Sequence, residues 1–212
     1  MKLKNYISGQ WIEGNGHEIP LYNAVNGELV AISDTSGLDF EEALHFGRTT
    51  GYKNLSSMTF YDRGEMLKKI ALYLLERKKK YYELSYKTGA THIDSWVDIE
   101  GGFGTFFTYS GLAKRMLPNT PFWVDGDTQK ISANGTFLGT HILTPSEGVS
   151  VQINAYNFPV WGMMEKLSTS LLAGVPSIVK PATPGSYLTN AVFQDMIESG
   201  ILPEGAIQLV CG

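Results

Sequence analysis

The 212-residue chain reads as an α/β protein in which N-terminal helices and an extended β-hairpin precede a partial, doubly wound parallel sheet. Three observations predict this. Short apolar runs alternate with helical stretches after Val149, and an amphipathic stripe recurs at helical spacing between residues 61 and 76. Between them, residues 119–148 are rich in Asn, Thr, Gly and Asp, with alternating apolar positions from Thr136 to Leu143, the pattern of an extended hairpin.

Taken in order, Tyr6 to Ile12 sets strand-forming residues around a glycine turn, and Asn26-Gly27 is a strong hairpin signal. Asp39 with Glu42 has capping-box spacing and opens a helix. Leu67, Ile70, Ala71, Leu74 and Leu75 form one apolar stripe, predicting a helix over 61–76. A further helix over 79–87 ends at Gly89, which suits a left-handed cap. The segment 93–115 reads as helix and carries Gly101, Gly102 and Gly104. No strand precedes these glycines and the approach is acidic (Asp98, Glu100), so close helix packing explains them better than a phosphate loop.

Val149–Asn154 reads as a strand and 159–173 as a helix, opened by Pro159 where its missing N–H costs nothing and closed by Gly174. Ser177–Lys180 is a short buried strand, 186–199 a helix before Gly200, and 206–211 a third strand. This β-α-β-α-β series implies parallel strands with right-handed crossovers, half of a Rossmann-like nucleotide-binding sheet. The expected division is 1–148 for the strands, helices and hairpin (about 130–148), then 149–212 for the first half of the nucleotide-binding unit.

Composition excludes several classes. With 43% apolar and 18% charged residues the chain can bury a core. A net charge of −4 gives no footprint for nucleic acid, so the run Arg77-Lys78-Lys79-Lys80 reads as a solvated helix face. One cysteine, Cys211, permits no internal disulfide. The N-terminus lacks the apolar stretch of about 7–15 residues of a signal peptide, and no run approaches the roughly 18 residues of a membrane span. A cytoplasmic protein without membrane contact is expected. His141 has no Cys, Asp or Glu at ligand spacing, so no metal site is expected.

Open α/β sheets bind ligands beyond the carboxyl ends of their strands. Two such ends carry polar groups, Asn154-Ala155-Tyr156-Asn157-Phe158-Pro159 and Lys180-Pro181-Ala182-Thr183-Pro184. A side-chain amide ahead of the helix either donates to a developing oxyanion or serves as a cap or turn. Lys180 suits a phosphate or a ribose.

These two segments resemble the signature loops of the aldehyde dehydrogenase superfamily. The matching residues are Ala155-Tyr156-Asn157-Phe158-Pro159, Ala173-Gly174 and Lys180-Pro181-Ala182-Thr183, with Ile7-Ser8-Gly9-Gln10-Trp11 and Leu202-Pro203-Glu204-Gly205 also in place. Thr88 to Thr91, Asp94 to Gly102 and Ile153 to Met163 are similar to one subfamily. It is the dehydrogenase half of the bifunctional ring-opening enzymes of phenylacetate degradation, which oxidise a CoA-linked semialdehyde with NADP and carry a hydratase domain.

The resemblance implies the aldehyde dehydrogenase fold, a small aldehyde substrate and a homo-oligomeric parent, with the strand around 137–144 in assembly. It makes Asn157 the catalytic oxyanion donor. Ile153, Asn154 and Tyr156 would line the cofactor cleft, with Tyr156 standing for the family's usual tryptophan, and Lys180, Pro181 and Thr183 would meet the adenosine ribose or its 2′-phosphate. Lys166 matches a lysine that helps position the proton relay; ordinary helix surface is the alternative. Thr183 replaces a glutamate that would repel a 2′-phosphate, which favours NADP, with NAD the alternative.

The family's nucleophilic cysteine and glutamate base lie downstream of these loops. The chain is therefore expected to be an N-terminal portion, inactive alone, with Cys211 a buried core residue. Two other readings stand beside this one: a non-catalytic nucleotide-binding or assembly module, and an adenine-nucleotide or CoA domain unrelated to oxidation.

Overall fold

The computed structural model describes all 212 residues. Two N-terminal hairpins come first: β1 (Asn5–Ile7) with β2 (Gln10–Ile12), and β3 (Ile19–Tyr22) with β4 (Leu29–Ser33). Gly27 takes φ +74° in the second turn, as the Asn-Gly pair predicts. Helix α1 (Phe40–Phe46) starts at Asp39, whose carboxylate accepts from the Glu42 N–H. A π-helical turn, Gly47–Gly51, leads into α2 (Tyr52–Ser56).

Helix α3 (Phe60–Leu75) opens on a Thr59–Asp62 capping box and buries Leu67, Ile70, Ala71 and Leu74, the predicted stripe. Helix α4 (Lys78–Ser85) closes through a 3-10 turn at Gly89, φ +87°. The run Arg77 to Lys80 is not merely solvated. Lys80 pairs with buried Asp195 at 2.6 Å, Lys78 with Glu100 at 3.0 Å, and the Arg77 guanidinium lies 3.5 Å from the Tyr73 ring centre.

Residues 92–116 are helical throughout: α5 (His92–Trp96), a π-helical turn (Val97–Gly101) and α6 (Gly102–Met116). Close packing accounts for two of the three glycines. A Cβ on Gly101 would fall 2.2 Å from the Trp161 ring and one on Gly102 3.0 Å from the Trp161 Cα, whereas Gly104 faces open space. The hairpin arms are β5 (Trp123–Lys130) and β6 (Leu138–Leu143), so its first arm starts before residue 130. Its base is tied down where Arg63 Nη2 donates to Pro121 O and the Tyr52 hydroxyl to Pro145 O.

β7 (Ser150–Ile153), α7 (Pro159–Leu172), β8 (Ser177–Lys180), α8 (Ser186–Glu198) and β9 (Ile207–Leu209) complete the chain. The three strands are parallel, as expected. The N-terminal hairpin then extends them, with β1 antiparallel to β9, giving the order β2-β1-β9-β8-β7. Asn5 welds that junction: its amide nitrogen donates to Asp34 O and its oxygen accepts from the Cys211 N–H at 2.7 Å. One sheet face packs on α3, α6, α7 and α8 around Val179, Leu209, Met163 and Phe193. The other holds a small cluster of Ile7, Ile178 and Val210 under Ala43 of α1.

Candidate cofactor cleft and oxyanion site

β7 and β8 run in register, so both signature segments leave the sheet side by side. The ladder continues one step beyond the strands, where the Asn154 N–H donates to Lys180 O at 2.9 Å. Ile153 pairs in register with Lys180, so the two side chains project from one face. That is the face where Val151 and Ile153 remain uncovered, Ile153 being 75% exposed. Tyr156 is 74% exposed in the following loop. Pro181 is buried, and Thr183 begins a 3-10 turn (Thr183–Gly185) ahead of α8, its carbonyl accepting from the Ser186 hydroxyl. Ile153, Asn154 and Lys180 thus lie side by side at one end of the parallel sheet, with Tyr156, Pro181 and Thr183 in the segments that follow β7 and β8.

The Lys180 ammonium, half-buried at that end, donates to Pro181 O at 2.7 Å, and burial lowers its pKa. It has no carboxylate partner in an ion pair. A cation with two free donor directions beside the exposed aliphatic side chain of Ile153 fits an anionic, ribose-bearing ligand.

Lys166, about two turns into α7, reaches back to the strand end. Its ammonium donates to Asn154 Oδ1 at 2.6 Å and Ile153 O at 3.1 Å, so it is not simple helix surface. Because the ammonium only donates, it dictates which end of the Asn154 amide faces it. The Asn154 Nδ2, buried, is left without a partner.

Asn157 lies on the far side of the loop. A cavity of about 470 Å³ is lined by Asn157, Phe158, Trp161, Gly162, Glu165 and Lys166, among others. A second, of about 370 Å³, lies against Asn157, Tyr156 and Phe158 and reaches Tyr187 and Asp94. Asn157 borders both, and its amide makes no hydrogen bond within the chain, so it is not spent as a cap. Cys211 lies elsewhere. It is fully buried, its sulfur accepts from Asn190 Nδ2 at 3.4 Å, and burial pushes the thiol up to about 12.

Sequence reasoning missed one residue here. Asp98, on the π-helical turn, is 4% exposed and accepts from the N–H groups of Val160 (3.1 Å) and Trp161 (2.8 Å), the free donors of the first turn of α7. A signal was available: the residue at the N-cap is Phe158, which has no acceptor, so the cap had to come from elsewhere in the chain.

A parallel β-α-β-α-β unit with polar groups gathered beyond its strand ends defines a dinucleotide-binding α/β domain. The aldehyde dehydrogenase family model matches residues 11–212, and the chain belongs to that family. It is 40% identical over 213 residues to a 3,4-dehydroadipyl-CoA semialdehyde dehydrogenase of Aromatoleum evansii, covering 100% of this chain and 41% of that one. Betaine aldehyde dehydrogenase of Bacillus subtilis (strain 168) is 29% identical over 211 residues, 98% of this chain and 41% of that protein. The chain therefore spans about 41% of the length of these relatives. Among solved structures, 3,6-anhydro-L-galactose dehydrogenase in complex with NAP superposes with a TM-score of 0.85 at 26% identity, covering 100% of this chain and 43% of that chain.

Proposed function

We propose that the protein carrying this chain is an NADP-dependent dehydrogenase that oxidises an aldehyde, with water, to the acid. The aldehyde we infer is a CoA-linked semialdehyde from aromatic catabolism, a reading supported by the 40% identity to the Aromatoleum evansii relative. The observation that carries the reading is the placement of Asn157. Its unpaired amide borders two cavities at the end of a parallel sheet, where a donor stabilises the oxyanion formed as a nucleophile adds to a carbonyl.

The strand-end residues fit the cofactor. Lys180 would hold the ribose or its 2′-phosphate, the Thr183 hydroxyl can donate to it, and Ile153 and Tyr156 offer flat apolar surface for its rings. When bound, the nicotinamide supplies a hydride acceptor. Lys166 holds Asn154 and the Ile153 carbonyl in place at the cleft floor. The only thiol in the chain is the buried Cys211, so the 212 residues alone bind nucleotide without oxidising aldehyde. Residues 1–148 serve as support and assembly, and 149–212 as the nucleotide-binding unit. The hairpin places Phe137, Leu138, Ile142 and Leu143 in solvent, which supports pairing with a second copy.

Titration calorimetry of the chain with NADP and NAD tests the cofactor assignment. Tighter binding of NADP is expected; a clear preference for NAD, or no binding of either, overturns it.

A further inference from the structure

We propose that Asp98 is a positioning residue: as a helix cap supplied from a distant segment, it sets where Asn157 sits. The inference rests on Asn157 being the oxyanion donor. Helix α7 starts without a cap of its own. Pro159 has no N–H, the Gly162 N–H is taken by Phe158 O at 2.9 Å, and the two remaining donors, Val160 and Trp161, both point at the Asp98 carboxylate. A carboxylate there satisfies both groups and complements the positive end of the helix.

The contact is one of several that dock the π-helical turn on the first turn of α7. Gly101 and Gly102 lie so close to Trp161 that a Cβ on either would collide with it or nearly so. Val97, one residue before Asp98, lines the same cavity as Asn157. Asn157 itself makes no side-chain hydrogen bond, so nothing local orients it. Its place is set by the direction in which the chain enters α7, three and four residues ahead of the capped N–H groups. The π-helical turn carries one extra residue per turn of the 92–116 helix at the position where Asp98 faces α7.

The test uses side-chain amide and backbone NMR of the 212-residue chain, with Asn157 assigned by its disappearance in Asn157→Ala. In Asp98→Ala, amide exchange at Val160 and Trp161 should accelerate about 2- to 30-fold, the equivalent of losing one cap. The Asn157 side-chain signals should shift or broaden. Asp98→Asn, which keeps one uncharged acceptor, should recover part of both effects. Asp62→Ala removes the reciprocal half of the α3 capping box instead, and should lower stability while leaving Asn157 unmoved.

Unchanged Asn157 signals in Asp98→Ala, or an equal response in Asp62→Ala, overturn the proposal. Should Asp98→Ala fail to fold, Asp98→Asn decides by the same signals. NADP titrated into the same samples separates the two claims. Absence of binding by the parent chain counts against the cofactor reading, whereas an Asp98-dependent Asn157 signal stands regardless.

Discussion

Single side chains in this chain owe their behaviour to where the fold puts them. Thr183 is neutral and follows Lys180 by three residues, so in the proposed cofactor site a 2′-phosphate would meet attraction without repulsion. A carboxylate substituted there would oppose it at roughly 4 Å, and with an effective dielectric near 20 that interaction is large. Thr183→Glu should therefore weaken NADP binding about 10- to 100-fold while affecting NAD much less, as measured by calorimetry with each. Asp98 illustrates the cost of burial. Its pKa is raised from 3.8 to about 6 by desolvation, with the Trp161 and Val160 N–H groups opposing the shift. The folded chain thus keeps a proton there between pH 4 and 6 after the unfolded chain has released it. Stability should fall as pH rises through that window, by about 3 kcal/mol for this group alone. Urea unfolding at a series of pH values checks this, and Asp98→Asn should flatten that part of the profile. Cys211, its thiol pushed up to about 12, should resist a disulfide reagent in the folded chain and react promptly in urea.

Between elements, contact distance decides which glycines are replaceable. The π-helical turn 47–51 presses on the loop before β9 so closely that a Cβ on Gly51 would lie 2.2 Å from the Gly205 carbonyl oxygen. Backbone cannot swing aside as a side chain can. Gly51→Ala should cost about 1–3 kcal/mol or more. Gly104, in the first turn of α6 but inside the continuous 92–116 helix and facing open space, should behave oppositely. Alanine there removes backbone freedom from the unfolded chain and gains roughly 0.5–1 kcal/mol. Thermal denaturation of the two variants should move in opposite directions, by about 2–4 °C per kcal/mol at this chain length. Both residues are glycines in helical segments, and only the neighbour across the gap distinguishes them.

At the scale of the whole molecule, the hairpin β5–β6 is the least covered element. Every residue of β5 is exposed, and the apolar side chains of β6 share that exposure. Replacing Phe137 and Leu143 by Asp should abolish any self-association seen by sedimentation and leave thermal stability nearly unchanged, because neither residue joins the core. The helices, the glycine-ended turns and the parallel strands were legible in the sequence because each is written in local spacing: a 3.6-residue stripe, a cap three residues from its partner, an apolar run between breakers. The two strand-end segments were legible for the same reason, and they leave the sheet side by side as the alternation of strands and helices requires. What local spacing could not carry was everything set by residues far apart in the chain. The antiparallel junction of β1 with β9 through Asn5, the ion pairs drawn by Lys80 and Lys78, and the Asp98 cap on a helix sixty residues later belong to that class. Each exists because a buried polar group must find a partner once water is excluded, and only the completed packing determines which partner is within reach.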